Sequence, residues 1–165
     1  MIETRVQATV QPRPVPDRQA LRDGLETTRA VFHERLDAVA GDRWGPKCPG
    51  SAWTVGEVFA HLTWALEYLP KEVESARRGK GMFNMPKWLG DPLSYWYNRM
   101  LARNATPESI RRRYDAAMDA TIKAVETVPD SDWQLGAQFY GEGFYTVVDL
   151  FQTPAEHLAE HTAGL

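Results

Sequence analysis

Apolar residues recur every three or four positions along four long stretches of the chain, and this spacing limits the possible fold more than any other feature. Such spacing places the apolar side chains on one side of an α-helix. Stretches rich in glycine and proline, such as WGPKCPGSAW at 44–53, separate the helices. Each helix must bury its apolar side against the others, so the sequence predicts an all-α fold, a four-helix bundle.

The first two helices have recognisable starts and ends. The first is predicted from Asp17 and stops at Gly41. The second begins after Thr54, whose side chain can accept a hydrogen bond from a first-turn amide while Glu57 reaches back to the cap residue, as in a capping box. Pro70 is expected to kink this helix or end it early, because proline has no amide hydrogen.

A long irregular connector is predicted over residues 80–105, between the second and third long helices, with one short helix after Pro92. The third long helix starts at Thr106, the expected cap residue, with Pro107 in the first helical position. Pro129 marks its end.

The last part of the chain is predicted to be a loop followed by a helix. Residues 129–143 carry three glycines and no regular apolar spacing, and no strand is expected there. The last helix is predicted from about Phe144, with that residue on its core side. Pro154 is expected to interrupt the helix, with a kink or a restart near Thr153.

Length and charge restrict the function classes. The 165 residues are interpreted as an extended lead-in over 1–16 and a single domain over 17–165. A net charge of −3 gives no attraction to nucleic acid or to a membrane surface, and no apolar run approaches the ~20 residues that cross a bilayer. The single Cys48 rules out an intramolecular disulfide, and the N-terminus does not resemble a secretory signal. A cytoplasmic protein is therefore expected.

Three of the four histidines can form a metal site. His157 and His161, in AEHLAEH, are one helical turn or about 6 Å apart along the axis, so both rings can reach one ion at ~2.0–2.1 Å. A third ligand must come from another helix, and His61 on the second helix is the candidate. The same pair also fits a solvated, salt-bridged helix face near a C-terminus, and the spacing alone does not decide between the two.

Side chains beside His61 are candidates for supporting roles. At ~100° per residue, Glu57, Trp64 and Tyr68 lie on the same strip of the second helix as His61, next to its apolar stripe. Glu57 and Tyr68 are interpreted as catalytic groups that orient a ligand or move a proton, and Trp64 as a side chain that lines the pocket. His33 has no partner at ligand spacing and is interpreted as structural or as part of the surface.

Two motifs are similar to those of the DinB-like superfamily, which includes mycothiol-dependent maleylpyruvate isomerase-type domains. SAWTVGEVFAHL at 51–62 resembles the start of the family's second helix, and TVVDLFQTPAEHLAEH at 146–161 resembles its last helix. The resemblance extends over about residues 17–165 and implies a DinB-like four-helix bundle. It also implies that the three histidines described above hold a divalent metal ion, with zinc or nickel as the first candidates, and that the protein is a homodimer.

The expected function follows from this resemblance. Characterised relatives use low-molecular-weight thiols, as S-transferases or as a cofactor-dependent isomerase. A thiol-dependent transferase or isomerase that acts on a small electrophile through the metal is therefore the leading hypothesis. Two alternatives stay open: a non-catalytic dimeric bundle whose metal site is degenerate, and a metal-dependent hydrolase of small molecules that uses water as the nucleophile.

Overall fold

The computed structural model describes residues 15–39, 41–48, 52–141 and 143–165. These residues form five α-helices, one 3-10 turn and one two-stranded sheet. In chain order the elements are α1 (Arg18–Val39), the 3-10 turn (Gly41–Arg43), α2 (Val55–Arg77), α3 (Lys87–Ala102), α4 (Pro107–Thr127), β1 (Gly136–Phe139), β2 (Gly143–Thr146) and α5 (Val147–Thr162). Most of the predicted lead-in, residues 1–14, and residues 49–51 of the predicted loop lie outside the described residues.

Four of the helices form the predicted bundle, which confirms the helical, four-helix-bundle architecture. Helix α4 packs against α1 and α2, and α5 packs against the same two helices. The apolar stripes meet in a common core, in which Phe32, Phe59 and Ile110 are completely buried. Stacking of Phe32 on Tyr114, at 3.5 Å between ring centroids, joins α1 to α4.

Capping boxes start three of the helices. Thr54 Oγ1 accepts a hydrogen bond from the Glu57 amide at 3.2 Å, and the Glu57 carboxylate accepts one from the Thr54 amide at 2.8 Å. Helix α4 begins in the same way at Thr106, with Pro107 in its first position. Helix α5 begins at a third box, formed by Thr146 and Asp149. The first two starts were predicted, because a cap depends only on residues within one turn.

The predictions of an early end of α2 at Pro70 and of a short helix after Pro92 are wrong, whereas a kink at Pro70 stays a prediction. Helix α2 does not end early at Pro70 but continues to Arg77, because Leu69 and Val73 on either side of the proline are both buried in the core. Helix α3 is not a short helix after Pro92 but spans sixteen residues with that proline inside it. A proline removes one backbone hydrogen bond, and packing of α3 on α2 is sufficient to compensate for it.

The predicted interruption of α5 at Pro154 is also wrong, since the helix is continuous from Val147 to Thr162. Pro154 has no amide hydrogen to donate to the carbonyl oxygen of Leu150, four residues earlier. The hydroxyl group of Thr153 donates to that oxygen instead, at 2.8 Å. The residue at which a restart was expected therefore supplies the missing hydrogen bond.

The segment predicted as a loop contains a β-hairpin. Strands β1 and β2 are antiparallel, with Gly136 opposite Thr146 and Phe139 opposite Gly143. Phe144 therefore belongs to β2 rather than to the last helix, and its side chain is 60% exposed instead of lying in the core. Four-residue strands are too short to produce a recognisable alternation of apolar and polar residues in the sequence.

Helix α3 lies against α2 outside the four-helix bundle. It leaves several large apolar side chains exposed, including Trp88, Leu93, Trp96 and Met100. No helix in the described part of the chain is long and apolar enough to cross a membrane.

Candidate metal centre

The bundle brings His61, His157 and His161 together. His61 lies on α2 and the other two on α5, and these two helices pack directly against each other. Nε2 of His61 is 3.0 Å from Nε2 of His157, and one ring nitrogen from each of the three residues lies within 4.8 Å of the others. We call these residues the histidine triad.

The donor set of the triad fits a divalent metal ion. Two nitrogens bound to tetrahedral zinc at ~2.0–2.1 Å are separated by about 3.3 Å, close to the 3.0 Å between the nitrogens of His61 and His157. Nδ1 of His61 is buried without a hydrogen-bond partner among the described residues. Imidazole nitrogens suit zinc, nickel, copper and iron, so the triad does not select one of them.

Burial keeps the triad neutral. Desolvation, with smaller contributions from His157 and His161, lowers the pKa of His61 from 6.5 to about 3. Desolvation and the proximity of His161 lower the pKa of His157 to about 4. The pKa of His161 is also lowered by burial, against an opposing effect of Glu160. All three rings are therefore unprotonated at neutral pH, the form of histidine that ligates metals.

Trp53 covers one side of the triad. Centroid to centroid, its ring lies 4.8 Å from the ring of His61 and 5.9 Å from the ring of His161. The rings of Trp53 and His161 are nearly parallel, with an interplanar angle of 18°. The tryptophan precedes the Thr54 cap, and the cap fixes the direction in which the chain enters α2. The sequence showed Trp53 only as a part of the motif, whereas the structure makes it a contact of two of the histidines.

The triad lies at one end of a cavity of about 810 Å³, within the range of small-molecule sites. Trp64 and Tyr68 on α2 both line this cavity, with their rings 4.9 Å apart. Helix α3 and the hairpin supply further walls through residues such as Tyr97 and Tyr140. The connector predicted as irregular thus contributes a helix to the cavity wall.

Glu57 is placed differently from Trp64 and Tyr68. One of its carboxylate oxygens accepts the hydrogen bond from the Thr54 amide, and the other lies 3.1 Å from Nε of Arg99. Glu57 is not among the described residues that line the cavity. Its contacts hold the start of α2 and connect it to α3, and its role in orienting a ligand or moving a proton stays a prediction.

Sequence reasoning missed Glu72, which lines the cavity and is only 3% exposed. Desolvation raises the pKa of Glu72 from 4.5 to about 7, although a hydrogen bond from Tyr140 acts in the opposite direction. Eleven residues are just over three full turns, so Glu72 lies on the same side of α2 as His61. A glutamate beside two apolar positions of the core stripe, Leu69 and Val73, was the available signal.

His33 lies away from the triad, as interpreted from the sequence. Its Nε2 is 2.8 Å from the carboxylate of Asp115, which connects α1 to α4.

A sequence model of the DinB superfamily matches residues 24–164 of this chain. The match extends over most of the chain, so the chain belongs to the DinB superfamily. The family is generally metal-binding, and the histidine triad accords with that property. No curated protein sequence matches the chain.

Two solved structures are similar to this fold. One is a mycothiol-dependent maleylpyruvate isomerase, with a TM-score of 0.71 and 11% sequence identity over 91% of this chain. The other is a histidine-to-alanine variant of that isomerase, with the same TM-score, identity and coverage. This chain spans 61% of the isomerase chain. At this identity the similarity establishes a shared fold.

Proposed function

We propose that this DinB-superfamily protein is a divalent-metal-dependent enzyme that adds a low-molecular-weight thiol to a small electrophile, as a transferase or an isomerase. The observation that carries the proposal is the placement of three neutral imidazoles at one end of a cavity of about 810 Å³. A divalent ion held by His61, His157 and His161 would lower the pKa of a coordinated thiol or water, so that thiolate or hydroxide is available at neutral pH.

The side chains around the triad have distinct tasks in this proposal. Trp53 shields the rings of His61 and His161 from water on one side. Trp64 and Tyr68 present aromatic surface along α2 to the substrate, and the Tyr68 hydroxyl group is the proposed proton-handling group that lines the cavity. Cys48 is not proposed as the nucleophile, because burial raises the pKa of its thiol and a reactive thiol needs the opposite shift.

The proposed reaction balances without a redox partner. The thiol loses its proton to water or buffer, and its sulfur forms a bond to an electrophilic carbon atom. In a transfer reaction the leaving group departs with the bonding electron pair. In an isomerisation the sulfur adds to a double bond and is expelled after rotation about the resulting single bond.

The proposal is tested with protein purified without an affinity tag and loaded with zinc or nickel. The electrophile is 1-chloro-2,4-dinitrobenzene, and a panel of low-molecular-weight thiols is supplied in turn while thioether formation is followed by absorbance. We expect a rate above the uncatalysed reaction with at least one thiol. His61→Ala should abolish it, whereas His33→Ala, which removes a histidine outside the cavity, should retain it.

The alternatives give different results in the same experiment. Turnover of small esters or amides without added thiol, again lost in His61→Ala, would favour the metal-dependent hydrolase. Absence of any turnover in a metal-loaded, folded protein would favour the non-catalytic bundle. The homodimer implied by the family resemblance stays a prediction.

A further inference from the structure

Aromatic rings line the cavity along α2 from the triad toward Glu72, beginning with Trp64, whose ring lies 6.4 Å from that of His61, centroid to centroid. Phe83 lies 5.8 Å from Trp64 and 5.7 Å from Tyr68, centroid to centroid. The ring of Tyr140 is parallel to that of Phe83 at 6.1 Å. The four rings other than that of His61 come from α2, from the segment after it and from the hairpin, and all four line the cavity.

Two of these rings are held by backbone that aromatic residues rarely adopt. Phe83 and Tyr140 have φ angles of 57° and 59°, in the left-handed region. Residues other than glycine are uncommon in this region, and such backbone strain is concentrated at binding and catalytic sites. The amide of Tyr140 donates to the carbonyl of Met82 at 3.1 Å, and Asn84 donates to the carbonyl of Gln138 at 2.7 Å. The two strained segments therefore hold each other in place.

The charge in this part of the cavity is carried by Glu72. Its side chain is 3% exposed and accepts a hydrogen bond from Tyr140. No lysine or arginine is found among the described residues that line the cavity, and the two other charged residues there, Glu156 and Glu160, are also acidic. A buried carboxylate without a cationic partner destabilises the folded protein, and a bound cation removes that destabilisation.

We propose that Glu72, Phe83 and Tyr140 form a subsite for an organic ammonium group carried by the small molecule that occupies the cavity. The neighbouring ring of Tyr68 already carries the ammonium group of Lys71, 4.6 Å from its centroid. The carboxylate supplies the counter-charge, and the faces of the aromatic rings attract a cation through their quadrupoles. A carboxylate or phosphate group would be repelled by Glu72, and a neutral group would leave the ionised carboxylate uncompensated.

This inference deepens the proposed function, because it names a chemical group of the substrate. It rests on that function only in taking the cavity as the substrate site. The eleven-residue separation of His61 and Glu72 corresponds to roughly 16 Å along α2. The substrate or thiol is therefore an elongated molecule, with its reacting end at the triad and its ammonium group far from it.

The test uses metal-free full-length protein and two probes of equal size, n-hexylammonium and 1-hexanol. Dissociation constants are measured by chemical-shift titration near pH 8, where an alkylammonium is protonated. We expect the wild-type protein to bind hexylammonium at least tenfold more tightly than hexanol. Glu72→Gln should abolish this preference. Glu34→Gln removes the same charge from the exposed surface of α1, and this control variant should keep the preference for hexylammonium.

Each other result overturns the inference. Equal affinity for both probes would show an apolar end of the cavity without a cation subsite, and absence of binding by either probe would show that this end accepts no such ligand. A preference that survives in Glu72→Gln would place the cation elsewhere. The protein is free of metal and no reaction is measured, so failure of the proposed thiol chemistry does not affect these outcomes. The comparison of the two probes on the wild-type protein also does not depend on whether a variant folds.

Discussion

Replacing Glu72 with glutamine is expected to stabilise the ligand-free, metal-free protein at alkaline pH and to change its stability little near pH 5. Glu72 is 3% exposed, and no lysine or arginine is found among the described residues that line the cavity around it. Glutamine has the same shape as the protonated acid, and its carbonyl oxygen can still accept the hydrogen bond from Tyr140. The substitution therefore removes the ionisation of residue 72 and little else.

The magnitude follows from the two pKa values of Glu72, 4.5 without the protein environment and about 7 in the folded protein. Below pH 4.5 the group is protonated in both the folded and the unfolded state, and the wild type has its full stability. As the pH rises, the unfolded state loses its proton first, so stability falls until the pH has passed the folded-state pKa of about 7. At ~1.36 kcal/mol for each pKa unit, the total loss is on the order of 3 kcal/mol.

The assay is equilibrium unfolding in urea followed by far-UV circular dichroism, at several values from about pH 5 to about pH 8.5. The quantity of interest is the free energy of unfolding of Glu72→Gln minus that of the wild type. Contributions from the histidines are common to both proteins and cancel. We expect the difference to rise by about 2–3 kcal/mol over this pH range, without a change in the slope against urea.

Glu34→Gln is the matched control, since Glu34 is exposed on α1. Its difference from the wild type should stay small. A Glu72→Gln difference that does not change with pH would show that Glu72 titrates as an ordinary carboxyl group. A wild type that gains stability over the variant at alkaline pH would show that the carboxylate has a stabilising partner, and the reasoning would be refuted.

Two further predictions concern α5 and the triad. In the folded protein the pKa is about 3 for His61 and about 4 for His157, both lowered from 6.5. As the pH falls below 6.5, the unfolded state takes up protons before the folded state does. The contribution of these histidines to the unfolding free energy is therefore fully present above pH 6.5 and is lost as the pH falls toward 4. The unfolding free energy of metal-free wild type should therefore decrease relative to that of His157→Gln on acidification, and a constant difference in thermal or urea unfolding would contradict this. Thr153→Ala should cost about 1 kcal/mol or more, because the buried Leu150 carbonyl loses its donor. Thr127→Ala, which removes a similar bond at an exposed helix end, should cost less in the same measurement.

The sequence predicted the features of the fold that depend on near neighbours. The boundary of α2 at Thr54 and the apolar stripe along it require only residues within one or two turns, and both are present. The errors at Pro154 and Pro92 have a common origin. A proline was treated as an isolated break, whereas the Thr153 hydroxyl group or the packing of α3 on α2 compensates for it.

The hairpin could not be predicted because its stability comes from distant residues. Phe139 is completely buried in the core and forms a bridge to Met82, more than fifty residues earlier. Gly81 allows this approach, since a Cβ atom there would lie 1.9 Å from the carbonyl oxygen of Gln138. Such contacts leave no periodic signal in a four-residue strand.

The candidate site was only partly accessible from the sequence. Helical periodicity placed His61, His157 and His161 on the sides of their helices, and the family resemblance joined them into one set. The distances between them depend on how α2 packs against α5, which the sequence does not specify. Glu72 was passed over because one charged residue in an apolar stripe has no meaning until the cavity beside it is known.

The most direct test of the metal site is the metal content of tag-free protein after equilibration with zinc or nickel and exhaustive dialysis. Elemental analysis should find about one equivalent of metal ion per chain in the wild type and in His33→Ala, whose ring pairs with Asp115 away from the triad. It should find almost none in His61→Ala. A folded wild-type protein without metal, or His61→Ala with undiminished metal, would contradict the proposal that the histidine triad is the metal centre.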